Sequence, residues 1–129
     1  MRWTIFMAVS LTAVPAAAQE VAIDSSVYRE RADGSGGRQI EPATRLLRGD
    51  RVVTIMRWQP PRAGRFTVVS AVPPQLAIES ASQAGIEVST DGGLSWRRLA
   101  DPDAVPRGTT HLRWQLGDEG RMSYRAVVR

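Results

Sequence analysis

The sequence predicts an all-β protein built as an antiparallel sandwich, and three observations predict it. Short runs of β-forming residues alternate apolar and polar, the period of a half-buried strand. Glycine- and proline-rich breaks separate these runs at nearly regular spacing, as in sandwich folds. Outside the first eighteen residues, no segment combines helical periodicity with capping residues.

The chain opens on Met-Arg-Trp-Thr-Ile-Phe-Met-Ala-Val-Ser-Leu-Thr-Ala-Val-Pro-Ala-Ala-Ala. Arg2 supplies a positive start, Ile5 to Val14 is mostly apolar, and Ala16-Ala17-Ala18 fits a small-x-small cleavage site. That order is the pattern of a secretory signal peptide. The apolar run is shorter than the ~20 residues of a membrane-spanning helix. Residues 1–18 are therefore read as a cleavable signal peptide, and residues 19–129 as a single β-sandwich domain with no transmembrane segment after cleavage. Loss of Arg2 takes the formal charge from +4 to +3.

Residues 21–32 read as the first strand of the mature chain, centred on Ser26 to Glu30, and Asp33-Gly34-Ser35-Gly36-Gly37 as a loop. Residues 38–47 return to the sheet, and Arg48-Gly49-Asp50 turns the chain. The triplet is a cell-adhesion signature elsewhere, but Gly-Asp before a strand is ordinary turn chemistry. Arg51 to Trp58 has apolar residues in both phases and reads as a central strand. Gln59-Pro60-Pro61 stops it, because proline cannot donate to a ladder. Phe66 to Ala71 and Leu76 to Ala81 follow, divided by Val72-Pro73-Pro74-Gln75.

Ile86 to Arg98 reads as a hairpin. Ile86, Val88 and Thr90 alternate before Asp91-Gly92-Gly93, and Leu94, Trp96 and Arg98 after it, so each flank reads as a strand with one buried face and Trp96 is expected to pack in the core. Asp-Gly and Gly-Gly suit a tight two-residue turn with positive φ at both central positions. The structural hairpin residues are Ser89, Asp91, Gly92, Gly93, Ser95 and Trp96. Ala100 to Thr110 is a loop with two prolines and one glycine. Leu112, Trp114 and Leu116 then face one way, with His111, Arg113 and Gln115 opposite. After Gly117-Asp118-Glu119-Gly120, Met122, Tyr124, Ala126 and Val128 point inward. The expected core is Trp58, Leu112, Trp114, Leu116, Tyr124 and Val128.

The order of these motifs carries a resemblance. Leu47-Arg48-Gly49-Asp50 leads into a strand, and Val72-Pro73-Pro74-Gln75-Leu76 follows the next. Val88 to Trp96, His111-Leu112-Arg113-Trp114 and a closing alternating strand complete the series. Over roughly residues 44–129 this resembles a single copy of the bacterial "conserved repeat" domain of surface proteins, an immunoglobulin-like module of unknown function. The resemblance implies an immunoglobulin-like sandwich and is nearly silent on activity. Ser89, Asp91, Gly93, Ser95 and Trp96 also resemble an Asp-box, which recurs as a structural hairpin in sialidase-like propellers. A propeller needs about four or more blades, so only the hairpin geometry transfers.

All 17 basic side chains are arginine, against 13 acidic ones. They form no run, whereas a nucleic-acid footprint clusters on one face, so no nucleic-acid partner is expected. The chain has no cysteine and one histidine, which removes thiol chemistry and leaves no tetrahedral zinc set. Asp101-Pro102-Asp103 and Asp118-Glu119 lack the spacing of a calcium loop and read as solvated turns. His111 is out of phase with the core residues and no nucleophile elbow accompanies it. No catalytic, cofactor-binding or metal residue is assigned, and no cofactor is expected.

The expected function is that of an exported, non-catalytic immunoglobulin-like module of the periplasm or cell surface, acting by contact with an envelope protein. The alternative is a carbohydrate-binding sandwich that stacks sugars on Trp58, Trp96 or Trp114. A third reading is a small hydrolase centred on His111.

Overall fold

The computed structural model describes residues 22–32, 34–62 and 65–129, and the backbone of 9–13. Among them there is no helix. Ten strands run in the order β1 (Val9–Ala13), β2 (Ile23–Ala32), β3 (Arg38–Pro42), β4 (Arg51–Trp58), β5 (Phe66–Ala71), β6 (Leu76–Ala81), β7 (Glu87–Ser89), β8 (Arg97–Arg98), β9 (His111–Gln115) and β10 (Arg121–Val128). They form two five-stranded sheets, β1-β5-β9-β7-β8 and β3-β2-β4-β10-β6. Every pairing is antiparallel. The sheets pack on one another, so the chain is the β-sandwich that the alternation predicts.

The core lies between the sheets. Val52, Met56 and Trp58 of β4 join Met122, Tyr124, Ala126 and Val128 of β10, and meet Phe66, Val68, Val88, Leu112 and Trp114 of the first sheet. The six residues expected in the core are all buried. Trp58 and Trp114 meet across the sandwich with ring centroids 6.5 Å apart, and the Trp58 Nε1–H donates to the Gly117 carbonyl at 3.1 Å. Burying side chains of this size contributes about 1.5–3 kcal/mol each. β4 is buried in both phases, as a central strand between β2 and β10 should be.

Two turns hold the strands in register. Gly120 has φ +65° and accepts the Trp58 N–H at 2.9 Å. A Cβ there would lie 2.8 Å from the Trp58 carbonyl oxygen, so a side chain is excluded by backbone as well as by φ. At Arg48-Gly49-Asp50, the Leu47 N–H donates to Asp50 Oδ2 and the Asp50 N–H to the Leu47 carbonyl, at 2.9 and 3.0 Å. The triplet is a closed turn.

The N-terminal stretch differs from the sequence-based expectation, which left residues 1–18 out of the fold. Val9–Ala13 pairs with β5 along its length, from Val9↔Ser70 to Ala13↔Phe66. Val-Ser-Leu-Thr-Ala also alternates with the period of a strand, which suits it to the edge of a sheet. The expected cleavage site, Ala16-Ala17-Ala18, lies outside the described residues. Among the described residues, no helix is long and apolar enough to cross a membrane.

Candidate functional site

The hairpin between β7 and β8 is wider than expected. Glu87 pairs with Arg98 and Val88 with Arg97, so the loop spans residues 90–96 rather than a two-residue turn. Asp91 organises it. Its Oδ1 accepts the Ser89 hydroxyl at 2.7 Å and the Ser95 N–H at 2.9 Å, and its Oδ2 accepts the Ser95 hydroxyl. The Ser89 hydroxyl oxygen accepts the Gly93 N–H at 2.8 Å. Gly92 and Gly93 have φ of +80° and +93°, where L-residues are strained. The Ser95 hydroxyl and N–H, then the Ser89 hydroxyl, hold the Asp91 carboxyl down to about 2. An aspartate that bonds its own loop favours the wider turn over the type I′ geometry.

The widened loop places Trp96 outside the core, which corrects the expected phase. Trp96 lies half-buried on the outer face of the first sheet, while Leu94 at the loop tip is 87% exposed. The Arg113 guanidinium carbon stands 4.3 Å from the Trp96 ring centroid. Arg113 also pairs with Glu87, its cross-strand neighbour between β9 and β7. His111 meets the edge of the Trp96 ring at 6.5 Å. The order along the face is thus His111, Trp96, Arg113, Glu87. A groove of about 660 Å³ continues from Glu87 and Arg113 past Arg98, Thr67, Val69 and Gln115.

His111, Asp91 and Asp101 are each engaged in local contacts. The Thr110 hydroxyl donates its one proton to the Ser89 carbonyl at 3.2 Å and accepts the Gly92 N–H at 3.0 Å. His111 Nδ1 lies 3.0 Å from the same oxygen. Both carboxyl oxygens of Asp91 are occupied within the hairpin. The Asp101 side chain accepts the Asp103 N–H at 2.9 Å, the geometry of a local turn. Among the described residues, no group of three or more His, Cys, Asp or Glu is placed to hold a metal.

Of the sequence-assigned residues, Ser89, Asp91, Gly92, Gly93, Ser95 and Trp96 come together in the hairpin. Trp58, Leu112, Trp114, Leu116, Tyr124 and Val128 stay in the core. Sequence reasoning missed Arg113, Glu87 and Arg98. Strand phase places Arg113 and Glu87 outward, but their union rests on β7 and β9 being neighbours, which no local pattern states. Comparison with known protein families, with curated proteins and with solved structures finds no match.

Proposed function

We propose that the chain is an exported, non-catalytic, immunoglobulin-like module that acts by contact with another protein of the bacterial envelope, through the outer face of the first sheet. The observation that carries this reading is the cluster of Trp96, Arg113 and Glu87 beside the groove, with the exposed Leu94 next to it. Tryptophan and arginine are the residues most enriched at the energetic centres of protein interfaces. Here they are pre-ordered, because the Arg113 fork is held between a ring and a carboxylate, and pre-ordering lowers the entropy cost of association. The reading of residues 1–18 as a leader and the resemblance to surface-protein modules support the compartment.

Carbohydrate stacking is the weaker reading. Trp58 and Trp114 lie in the core, and Arg113 covers a face of the Trp96 ring.

The test is affinity recovery of partners from the envelope fraction, comparing the native chain with a Trp96→Ala/Arg113→Ala double variant and with Arg57→Ala as a surface control. The reading predicts that partner recovery falls at least about tenfold in the double variant, as for loss of an interface hot spot. Equal recovery by all three chains refutes it.

A further inference from the structure

We propose that the outer edge of β5 is a strand-acceptor site, occupied after leader removal by an extended, uncharged segment of a partner polypeptide that runs antiparallel to β5. The proposal rests on the reading of residues 1–18 as a cleaved leader and gives the proposed protein contact a geometry.

With β1 removed by cleavage, the four edges of the two sheets differ sharply. Natural proteins blunt an edge by shortness, charge, proline or a bulge. β8 is only two residues, both arginine. β3 carries Arg38 and Glu41 and ends on Pro42. β6 carries Glu79 and pairs with β10 across a register shift at Arg125/Ala126. β5 has none of these devices. Phe-Thr-Val-Val-Ser-Ala is six residues long, uncharged and free of proline, and it pairs with β9 in unbroken register.

The structure also shows what such an edge accepts. Val9–Ala13 lies antiparallel along it, with Val9, Leu11 and Ala13 opposite Ser70, Val68 and Phe66, and Ser10 and Thr12 opposite Val69 and Thr67. The polar atoms have a definite phase. The Phe66 carbonyl accepts the Leu116 N–H and the Val72 N–H donates to Thr110, so even-numbered residues of β5 turn their backbone toward β9. Thr67 and Val69 therefore turn theirs toward β1, and Ser10 and Thr12 answer them. Cleavage after Ala18 removes that strand and leaves these backbone groups unpaired. Main-chain bonds to such an edge supply affinity, and alternate side chains supply selectivity. The occupant is a segment that places apolar residues opposite Phe66, Val68 and Ser70 and small hydroxyl residues between them. Thr67 and Val69 also line the groove, so the added strand lies across β5 from Arg113 and Gln115 of β9.

The experiment uses the full chain expressed with its own leader. The processed form is purified from the envelope fraction, and mass spectrometry establishes its first residue. The probe is a synthetic peptide carrying Val-Ser-Leu-Thr-Ala with a polar tag, in three forms: unmodified, N-methylated at the threonine and N-methylated at the leucine. The proposal predicts saturable binding, slowed hydrogen exchange at Thr67 and Val69, at least about tenfold weaker binding for the threonine form and nearly unchanged binding for the leucine form. A processed chain that ignores the peptide, or loses it equally to both methylations, overturns strand acceptance and leaves the export reading standing. So does a concentration-dependent dimer that protects Thr67 and Val69 without peptide, because a second copy then holds the edge. A chain that keeps Met1 and its own β1 in place overturns both readings.

Discussion

Truncating Trp96 and Trp114 separately distinguishes the outer face from the core. Trp114 is 4% exposed and packs on Trp58, so Trp114→Ala removes a buried aromatic at a cost of about 3–5 kcal/mol. Trp96 is half-buried, outside the core cluster, and its specific partners are the Arg113 cation and the His111 edge. An exposed cation–π contact contributes about 0.5–1 kcal/mol and an edge-on ring contact about as much. Trp96→Ala should then cost about 1–2 kcal/mol. With a urea slope of about 1.5 kcal/mol per molar, the midpoint falls by about 1 M for Trp96→Ala and by 2 M or more for Trp114→Ala. Against a total stability of about 5–15 kcal/mol, Trp114→Ala leaves a marginal fold. The assay is urea unfolding followed by circular dichroism. Equal midpoints for the two variants would refute the placement of Trp96, and an unshifted Trp96→Ala would refute its contacts.

Three further outcomes follow from the same geometry. Gly120→Ala should destabilise more than Gly92→Ala: both have positive φ, at about 1–2 kcal/mol for an L-residue, but only at Gly120 does the new Cβ meet a backbone oxygen at 2.8 Å. Thermal unfolding of the two variants checks the order. The Asp91 carboxyl is held near 2 against its ordinary 3.8, so its contribution is present above about pH 4 and is lost as pH falls through about 2; hydrogen exchange at Gly93 and Ser95 should accelerate there, and Asp91→Asn should abolish that pH step. Burial pushes the Tyr124 hydroxyl up to about 12, so stability is full below pH 10 and falls by roughly 2–3 kcal/mol toward pH 12 as the unfolded chain ionises first. Ultraviolet titration alongside alkaline unfolding measures it.

The fold was legible where one strand carries its own pattern. Leu112-Arg113-Trp114 and Met122 to Val128 alternate so cleanly that phase alone identifies the buried face, and β4 announces its central place by being apolar in both phases. The site was less legible because it depends on strand adjacency. Glu87 and Arg113 face each other only because β7 pairs with β9 across a long loop. The hairpin misled in one respect. Asp-Gly-Gly suits a two-residue turn, but the bonds from Asp91 to Ser89 and Ser95 favour the wider loop and shift Trp96 out of the core phase. Residues 9–13 illustrate a limit of composition, since an apolar alternating run fits a leader and an edge strand equally well.

We propose above that this chain meets a protein partner through the outer face of its first sheet. A photocrosslinking scan in intact cells tests it most directly, with a photoreactive phenylalanine analogue placed in turn at Gln115 and Leu94 on that face, and at Ile40 and Arg57 on the second sheet. Contact through that face predicts a discrete protein adduct from Gln115 and Leu94, lost when Trp96→Ala and Arg113→Ala are added, and none from Ile40 or Arg57. Adducts that form only at Ile40 and Arg57 would contradict it.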